Sequence, residues 1–161
     1  MGLLIVNPPA MRVLVIDDDA SVGAAIQMTL VRAGCDTVLA PDAETGIRAF
    51  GSSRFDLAVV DLFMPGMDGL QIITEFRRRA PTLSILAVSG FRFRGSADPG
   101  LDFLSLAGNV GATICLRKPF SPQQLVAAIQ ASKNPALLGA DRQEKENRNR
   151  DGHHDAERSP R

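Results

Sequence analysis

The sequence predicts an α/β fold, a doubly wound parallel sheet of five strands covered by helices, over residues 11–133. Apolar runs of four or five residues recur along the chain, and each precedes a segment of helical periodicity. Continuous apolar runs are typical of strands buried on both faces, as in a parallel sheet between helix layers. The regular alternation of strands and helices indicates the doubly wound arrangement.

The first two strands are predicted at residues 12–16 and 36–39, with the sequences RVLVI and DTVL. Asp19 can cap the helix after the first strand, and Gly34 can end that helix. Asp42 precedes the second helix in the same way. Each of these strand–helix units therefore carries its own start signal.

The third strand is predicted at residues 57–60, with the sequence LAVV. Leu70, Ile73 and Phe76 form an apolar stripe at helical spacing, and Pro81 closes this third helix. The segment between strand and helix contains proline and glycine, so it is predicted to be a loop.

The fourth strand is predicted at residues 84–88, and a helix is expected near residues 101–110. Residues 91–100 lie between them as an unusually long loop, and loops of this length are often functional. The fifth strand is predicted at residues 113–116.

The fifth helix has the clearest start signals in the chain. Ser121 and Gln124 have the spacing of a capping box, and Pro122 falls at the first helical position. The chain changes character after this helix. Residues 134–161 are mostly polar and of mixed charge, so we expect a disordered tail. Residues 1–10 are expected to be a short extension before the first strand.

The composition excludes several classes of function. Eighteen basic residues balance eighteen acidic ones, so no net field attracts the chain to nucleic acid or an anionic membrane. No apolar run approaches the roughly 20 residues of a membrane span. We therefore expect a cytoplasmic protein with neither DNA nor membrane as partner.

Cysteine and histidine usage narrows the chemistry further. Cys35 and Cys115 are too few for a disulfide framework and form no CxxC pair, so both are expected to be buried structural thiols. His153 and His154 lie in the final ten residues. The predicted domain thus lacks imidazole, which excludes a Ser/His or Cys/His catalytic arrangement and a histidine metal site.

Polar residues follow four of the predicted strands, at the edge where the carboxyl ends of parallel strands meet. They are Asp17, Asp18 and Asp19 after the first strand, Asp61 after the third, Ser89 after the fourth and Lys118 after the fifth. Clustered carboxylates repel one another, and Mg²⁺ is the usual remedy. Burying Asp61 without a partner would be costly, so we expect solvent or a cation beside it. Asp61 is thus predicted to be a nucleophile beside a metal, with Lys118 and Ser89 placed to bind a phosphoryl oxygen.

The segments VLVIDDD, VVDLFMPGMDGL, AVSG and LRKPF, in this order, resemble the receiver domain of two-component response regulators. The resemblance covers about residues 11–133. It implies a flavodoxin-like (βα)5 fold with strand order 2-1-3-4-5. It also implies a stand-alone signalling protein, not an enzyme, that signals to an unknown partner protein as a monomer or weak homodimer.

The resemblance assigns roles to the acidic residues. Asp61 would accept a phosphoryl group from a histidine kinase or a histidine phosphotransfer protein. Asp18 and Asp61 would ligate Mg²⁺ together with the backbone carbonyl of Phe63, and Asp17 would act through water. Lys118 would pair with the phosphoryl oxygens.

The remaining implied features concern the switch and the loops. Ser89 would swing in to bond the phosphoryl group, and the Lys118–Pro119 peptide would be cis. Cys115 stands where the family usually has an aromatic side chain, so the inward swing of a ring is not expected. Phe63 and Phe91 would flank the path of attacking water, and their apolar rings predict slow loss of phosphate.

Two rival functions can be weighed on the sequence. VLVIDDDAS nearly matches the haloacid-dehalogenase phosphatase signature, in which Asp17 would be the nucleophile, but Ser21 stands where threonine or valine is required. The DLFMPGMDG loop also disfavours it. A transcription factor is the second rival, and the 28 residues after residue 133 are too few and too polar for a helix-turn-helix.

Overall fold

The structure is a computed structural model, and it describes residues 10–90 and 103–133. Five strands alternate with five helices. In chain order they are β1 (Arg12–Ile16), α1 (Ala20–Arg32), β2 (Asp36–Ala40), α2 (Ala43–Ser52), β3 (Leu57–Asp61), α3 (Gly69–Arg79), β4 (Ser84–Ser89), α4 (Phe103–Val110), β5 (Ile114–Arg117) and α5 (Pro122–Ser132). All ten elements of the predicted α/β fold are therefore confirmed, with strand ends shifted by one residue at most.

The strands form one parallel sheet in the order β2-β1-β3-β4-β5, as the family resemblance implied. The central strand β3 is buried along its whole length, and so is β4 after its first residue. This burial explains their continuous apolar sequences, because helices cover both faces of the sheet.

Alternate strand residues feed two hydrophobic layers. Leu14, Ile16 and Val60 point to the layer beneath α2, α3 and α4, where Phe50 and Phe76 stack with ring centroids 4.1 Å apart. Residues of the opposite parity meet α1 and α5; they include Val13, Val15, Val59, Leu86, Val88, Ile26, Leu30, Leu125 and Ile129. The two layers together cover both faces of the sheet, and its carboxyl edge lies between them.

The helices begin at the capping residues that the sequence predicted. Asp19 accepts hydrogen bonds from the backbone N–H groups of Ser21 and Val22 at 2.9 and 3.1 Å. Asp42 accepts one from Thr45 at 2.7 Å. These contacts satisfy amide groups that the first turn of a helix leaves unpaired.

The α5 start is confirmed as a capping box. Gln124 N–H donates to Ser121 Oγ at 3.2 Å, and Ser121 N–H donates to Gln124 Oε1 at 2.8 Å. The Lys118–Pro119 peptide just before it is cis, as the family resemblance implied.

Two predictions lie outside the described residues. The long loop of residues 91–100, with Phe91, is one of them. The tail of residues 134–161 is the other, together with residues 1–9 of the N-terminal extension. The domain boundaries drawn from the sequence stay predictions.

Candidate functional site

The register of the sheet brings two carboxylates side by side. Ile16 of β1 pairs with Val60 of β3, so the next residues along each strand, Asp17 and Asp61, are neighbours at the carboxyl edge. Asp17 is 2% exposed and Asp61 7%. A pair of nearly buried carboxylates requires a cation nearby, since like charges and desolvation both oppose ionisation.

Lys118 is that cation. Ser89 pairs with Arg117 in the β4–β5 ladder, and the next residue, Lys118, donates its backbone N–H to Ser89 O at 2.9 Å. Its side chain then reaches across the edge, with Nζ 2.9 Å from Asp17 Oδ2 and 3.2 Å from Asp61 Oδ2. One ammonium group therefore bridges both carboxylates, and of the two alternatives for Asp61 the cationic partner is confirmed.

The other carboxylate oxygens accept backbone hydrogen bonds. Asp61 Oδ1 accepts from Phe63 N–H at 3.2 Å, and Asp17 Oδ1 accepts from Asp19 N–H at 2.9 Å. Each carboxylate is thus held by an N–H group of the loop that follows its own strand. The site is thus preorganised by main-chain donors as well as by Lys118.

Burial is the largest influence on the pKa of Asp61. Burial raises the pKa of Asp61 above its ordinary value, and the neighbouring Asp17 charge adds to the rise. Lys118 and the Phe63 N–H oppose this rise without cancelling it. Burial lowers the pKa of Lys118, but the hydrogen bond that it donates to Asp17 and the charges of both carboxylates raise it more, so its pKa is elevated and it stays protonated.

Asp18 completes an acidic cluster with Asp17 and Asp61. One carboxylate oxygen from each residue lies within 4.8 Å of the others, and Asp18 is exposed while the other two are buried. Three hard oxygen donors open to solvent on one side fit Mg²⁺, which keeps several of its waters. The predicted direct and water-mediated roles within this set, and the ligation by the Phe63 carbonyl, stay predictions.

Close backbone packing fixes the loop that follows Asp61. A Cβ on Gly69 would lie 2.4 Å from the carbonyl oxygen of Asp61 and 2.6 Å from Cα of Leu62, so only glycine fits. Gly66 has a φ of +86°, which favours glycine as well. The start of α3 is therefore set directly against the end of β3. The sequence predicted a loop here from its proline and glycine but did not single out Gly69, although glycine directly after the helix-capping Asp68 was a usable signal.

The predicted switch residues are only partly gathered at this edge. Ser89 ends β4 and is 1% exposed. Cys115 lies in β5 opposite Ala87 and is exposed, in contrast to the expected buried thiol. It lies in the edge strand β5, whose residues are only partly covered, unlike those of the central strand β3. Phe63 is 38% exposed beside the cluster, and Phe91 lies outside the described residues.

Comparison with known proteins identifies relatives of this chain. The family described as response regulator receiver domain matches residues 13–130. The alkaline phosphatase synthesis transcriptional regulatory protein PhoP of Bacillus subtilis is 28% identical over 141 residues, covering 88% of this chain and 56% of that protein. Response regulator MprA of Mycobacterium avium is 32% identical over 121 residues, covering 75% and 50%. The chain thus spans about half the length of these curated relatives.

Solved structures give the same result. A CheY-like receiver domain protein from Methanospirillum hungatei superimposes with a TM-score of 0.69 at 26% identity, covering 85% of this chain and 98% of that one. A receiver domain protein from Clostridium thermocellum also gives 0.69, at 29% identity, covering 80% and 98%. In the part of the chain that the structure describes, no helix has the length and apolar character needed to cross a bilayer.

Proposed function

The chain belongs to the response regulator receiver domain family, and we propose that Asp61 is its phosphoacceptor. The donor would be the phosphohistidine of a sensor histidine kinase or a histidine phosphotransfer protein. The single observation that carries this proposal is the bridged carboxylate pair. Asp61 sits at the end of the central strand with both oxygens oriented, by Phe63 N–H and by Lys118 Nζ.

In the proposed reaction a carboxylate oxygen of Asp61 attacks the phosphorus atom. The O–P bond forms, the P–N bond to the donor imidazole breaks, and the imidazole nitrogen leaves with that electron pair. Lys118 is placed to move from carboxylate to phosphoryl oxygen, because its Nζ already lies 3.2 Å from Asp61 Oδ2. Ser89, buried at the end of the adjacent strand, would supply a hydroxyl hydrogen bond to the product.

Receiver domains bind Mg²⁺ at an acidic pocket, and the donor set here fits that ion. We propose that Asp18 and Asp61 hold it directly, with the carbonyl of Phe63, while Asp17 acts through water. When bound, the metal supplies positive charge that stabilises the oxygens of the transferring group. Asp17 meanwhile keeps Lys118 in place through its 2.9 Å contact.

Phosphorylation of matched variants tests the acceptor. Wild type should incorporate radiolabelled phosphate from acetyl phosphate only with Mg²⁺ present, and Asp61→Asn should lose it by orders of magnitude. Asp56→Asn is the matched control, because Asp56 precedes the same strand and its carboxylate accepts a hydrogen bond from the backbone N–H of Arg12, at 2.7 Å. Normal labelling of Asp61→Asn, or label mapped to Asp17, would overturn the assignment and restore the phosphatase alternative.

The proposed signalling output is a phosphorylation-dependent contact with a partner protein. We propose that the chain acts in the cytoplasm as a monomer or weak homodimer. Transcriptional regulation is a second candidate, favoured by the names of relatives that this chain matches over about half their length. The expectation that DNA is not a partner stays a prediction. Retention of the phosphorylated chain on a column of cellular DNA fragments, compared with the unphosphorylated chain, separates the two candidates.

A further inference from the structure

Helices α1 and α5 pack side by side on one face of the sheet and leave a groove between them. One part of the groove has a volume of about 480 Å³ and is lined by Ala33, Val126 and Gln130, among others. A second part of about 570 Å³ reaches Gly90 and Lys118. Thr29 and Pro122 line both parts, so the groove is continuous.

The first part of the groove, which we call the α1–α5 groove, is open to solvent and has a mixed lining. Leu125 and Ile129 of α5 face the core, whereas Val126 and Ala127 face the groove. Arg32 is the one charged residue along its lining, and the other polar residues are Thr29, Gln123 and Gln130. The apolar stretch that Val126 and Ala127 form with Ala33 and Pro122 suits a short aliphatic segment as occupant.

The chain itself supplies such a segment at the right place. α5 ends at Ser132, and Lys133 is the last described residue. The next stretch, residues 135–140, reads PALLGA, with two adjacent leucines. From residue 141 to residue 161 only Ala156 belongs to the Ala, Val, Ile, Leu and Met group. The apolar residues after the domain are thus confined to one short stretch beside the domain.

The distances allow this stretch to reach the groove. Val126 lies seven residues before Lys133 on α5, about 10 Å back along the helix at 1.5 Å per residue. Leu137 and Leu138 follow Lys133 by four and five residues, and an extended chain covers up to about 3.5 Å per residue, roughly 14–17 Å. Asn134 precedes Pro135, which disfavours continuation of the helix and favours a change of chain direction there.

We propose that residues 135–140 dock in the α1–α5 groove of their own domain, with Leu137 and Leu138 as anchors. The docked segment would make the chain after α5 part of the domain surface. It would also restrict the surface that a partner can use between α1 and α5. The proposal does not depend on the phosphoryl chemistry of Asp61.

The sequence permits a direct spectroscopic test, because it contains neither tryptophan nor tyrosine. Leu138→Trp in the full chain introduces a single tryptophan, and Ala156→Trp provides a control in the polar stretch. The docked indole should emit at a shorter wavelength than the control and be quenched several-fold less by acrylamide. Identical emission and quenching of the two variants would overturn the proposal.

A second substitution identifies the binding surface. In the Leu138→Trp background, Ala127→Glu should restore the emission and quenching of the solvated control, because Ala127 lines the groove. Ala127 is exposed, so glutamate is accommodated there without disturbing the core. Met28→Glu is the matched control on α1, since Met28 is 55% exposed and does not line the groove; it should leave the signal unchanged. A shift that disappears on dilution would place the segment on a second copy and contradict docking within one chain.

Discussion

The two ends of the sheet use charged side chains in opposite ways. At the carboxyl edge, Asp17 and Asp61 are nearly buried and share one cation, Lys118. At the amino edge, Arg12 Nε lies 3.2 Å from Asp36 Oδ2, and both side chains are about half exposed. Water screens the exposed pair, so it adds little to stability, whereas desolvation and like-charge repulsion burden the buried cluster. The comparison indicates that the charged cluster at the carboxyl edge lowers the stability of the fold, as expected for a functional site.

At the amino edge, one charged side chain, Arg77, donates hydrogen bonds to backbone carbonyl oxygens. Arg77 of α3 donates to the carbonyl of Gly111, at 3.2 Å from Nε and 2.7 Å from Nη2, and also to the carbonyl of Pro81. Its Nη2 lies 3.4 Å from Thr113 Oγ1. Arg77 therefore ties α3 to the connection between α4 and β5, far from the acidic cluster.

The largest difference between the two ends should appear when the cation of each end is removed. Without divalent ions at pH 7, Lys118→Met should cost roughly 2–3 kcal/mol of unfolding free energy, because it leaves two nearly buried carboxylates unpaired. Arg12→Met should cost less than about 1 kcal/mol, as expected for a screened pair. Urea unfolding measures both, and Mg²⁺ should reduce the loss in the Lys118 variant alone. Equal losses would show that burial does not distinguish the two ends.

The Arg77 contacts should give the next largest effect. Arg77→Ala should lower the unfolding free energy by about 2 kcal/mol, because the carbonyl of Gly111 loses its charged donor. Arg78→Ala is a matched control on the same helix turn, where the guanidinium is exposed and bonds Glu75. Hydrogen bonds from Arg78 and Arg79 lower the pKa of Glu75 to about 2, partly opposed by desolvation. The ion pair of Arg78 and Glu75 is nevertheless solvated, so its loss should change stability little. A large loss in the control alone would contradict the assignment.

The sequence predicted the carboxyl edge far better than the amino edge, for a physical reason. Strand ends in a parallel sheet must meet, so placing Asp17, Asp61 and Lys118 at strand ends was enough to gather them. The bridge that Lys118 makes to both carboxylates depends on side-chain reach and could not be predicted from spacing.

The contacts of Arg77 could not be predicted in this way, because Arg77 does not lie at a strand end. It is one of three consecutive arginines, and its partner Gly111 lies 34 residues further along the chain. The three look alike in sequence, and a run of arginines is usually a solvated helix face. The fold distinguishes them, because only Arg77 points toward the α4–β5 connection while Arg78 and Arg79 contact Glu75.

Neutralising the proposed acceptor, Asp61, should change the free energy of unfolding less than the Lys118 substitution does, and in the opposite direction. Asp61→Asn should raise the unfolding free energy at pH 7 by about 1 kcal/mol, because it removes a buried charge at a functional site. Burial raises the pKa of Asp61, so the folded state binds that proton more tightly than the unfolded state does. The wild type is therefore penalised above the raised pKa and recovers as pH falls through it, so the gain should shrink in acid. Asp56→Asn, at the amino edge, should show no such gain. A gain independent of pH would contradict the titration argument.

The smallest predicted effect concerns the entry of water to the carboxyl edge. Phe63 is two residues beyond the acceptor, is 38% exposed, and donates its backbone N–H to Asp61 Oδ1, so its side chain starts from the loop that orients the acceptor. An apolar ring can neither orient nor activate an attacking water, whereas an amide could. Phe63→Asn should therefore speed the loss of radiolabelled phosphate from Asp61 a few-fold, roughly 1 kcal/mol or less in activation free energy. Phe63→Leu, which keeps the position apolar, should leave the decay slow.

Phe91→Glu tests the second predicted flank of the path of attacking water in the same assay. If Asn and Leu variants at residue 63 decay alike, ring packing and not water positioning determines the lifetime.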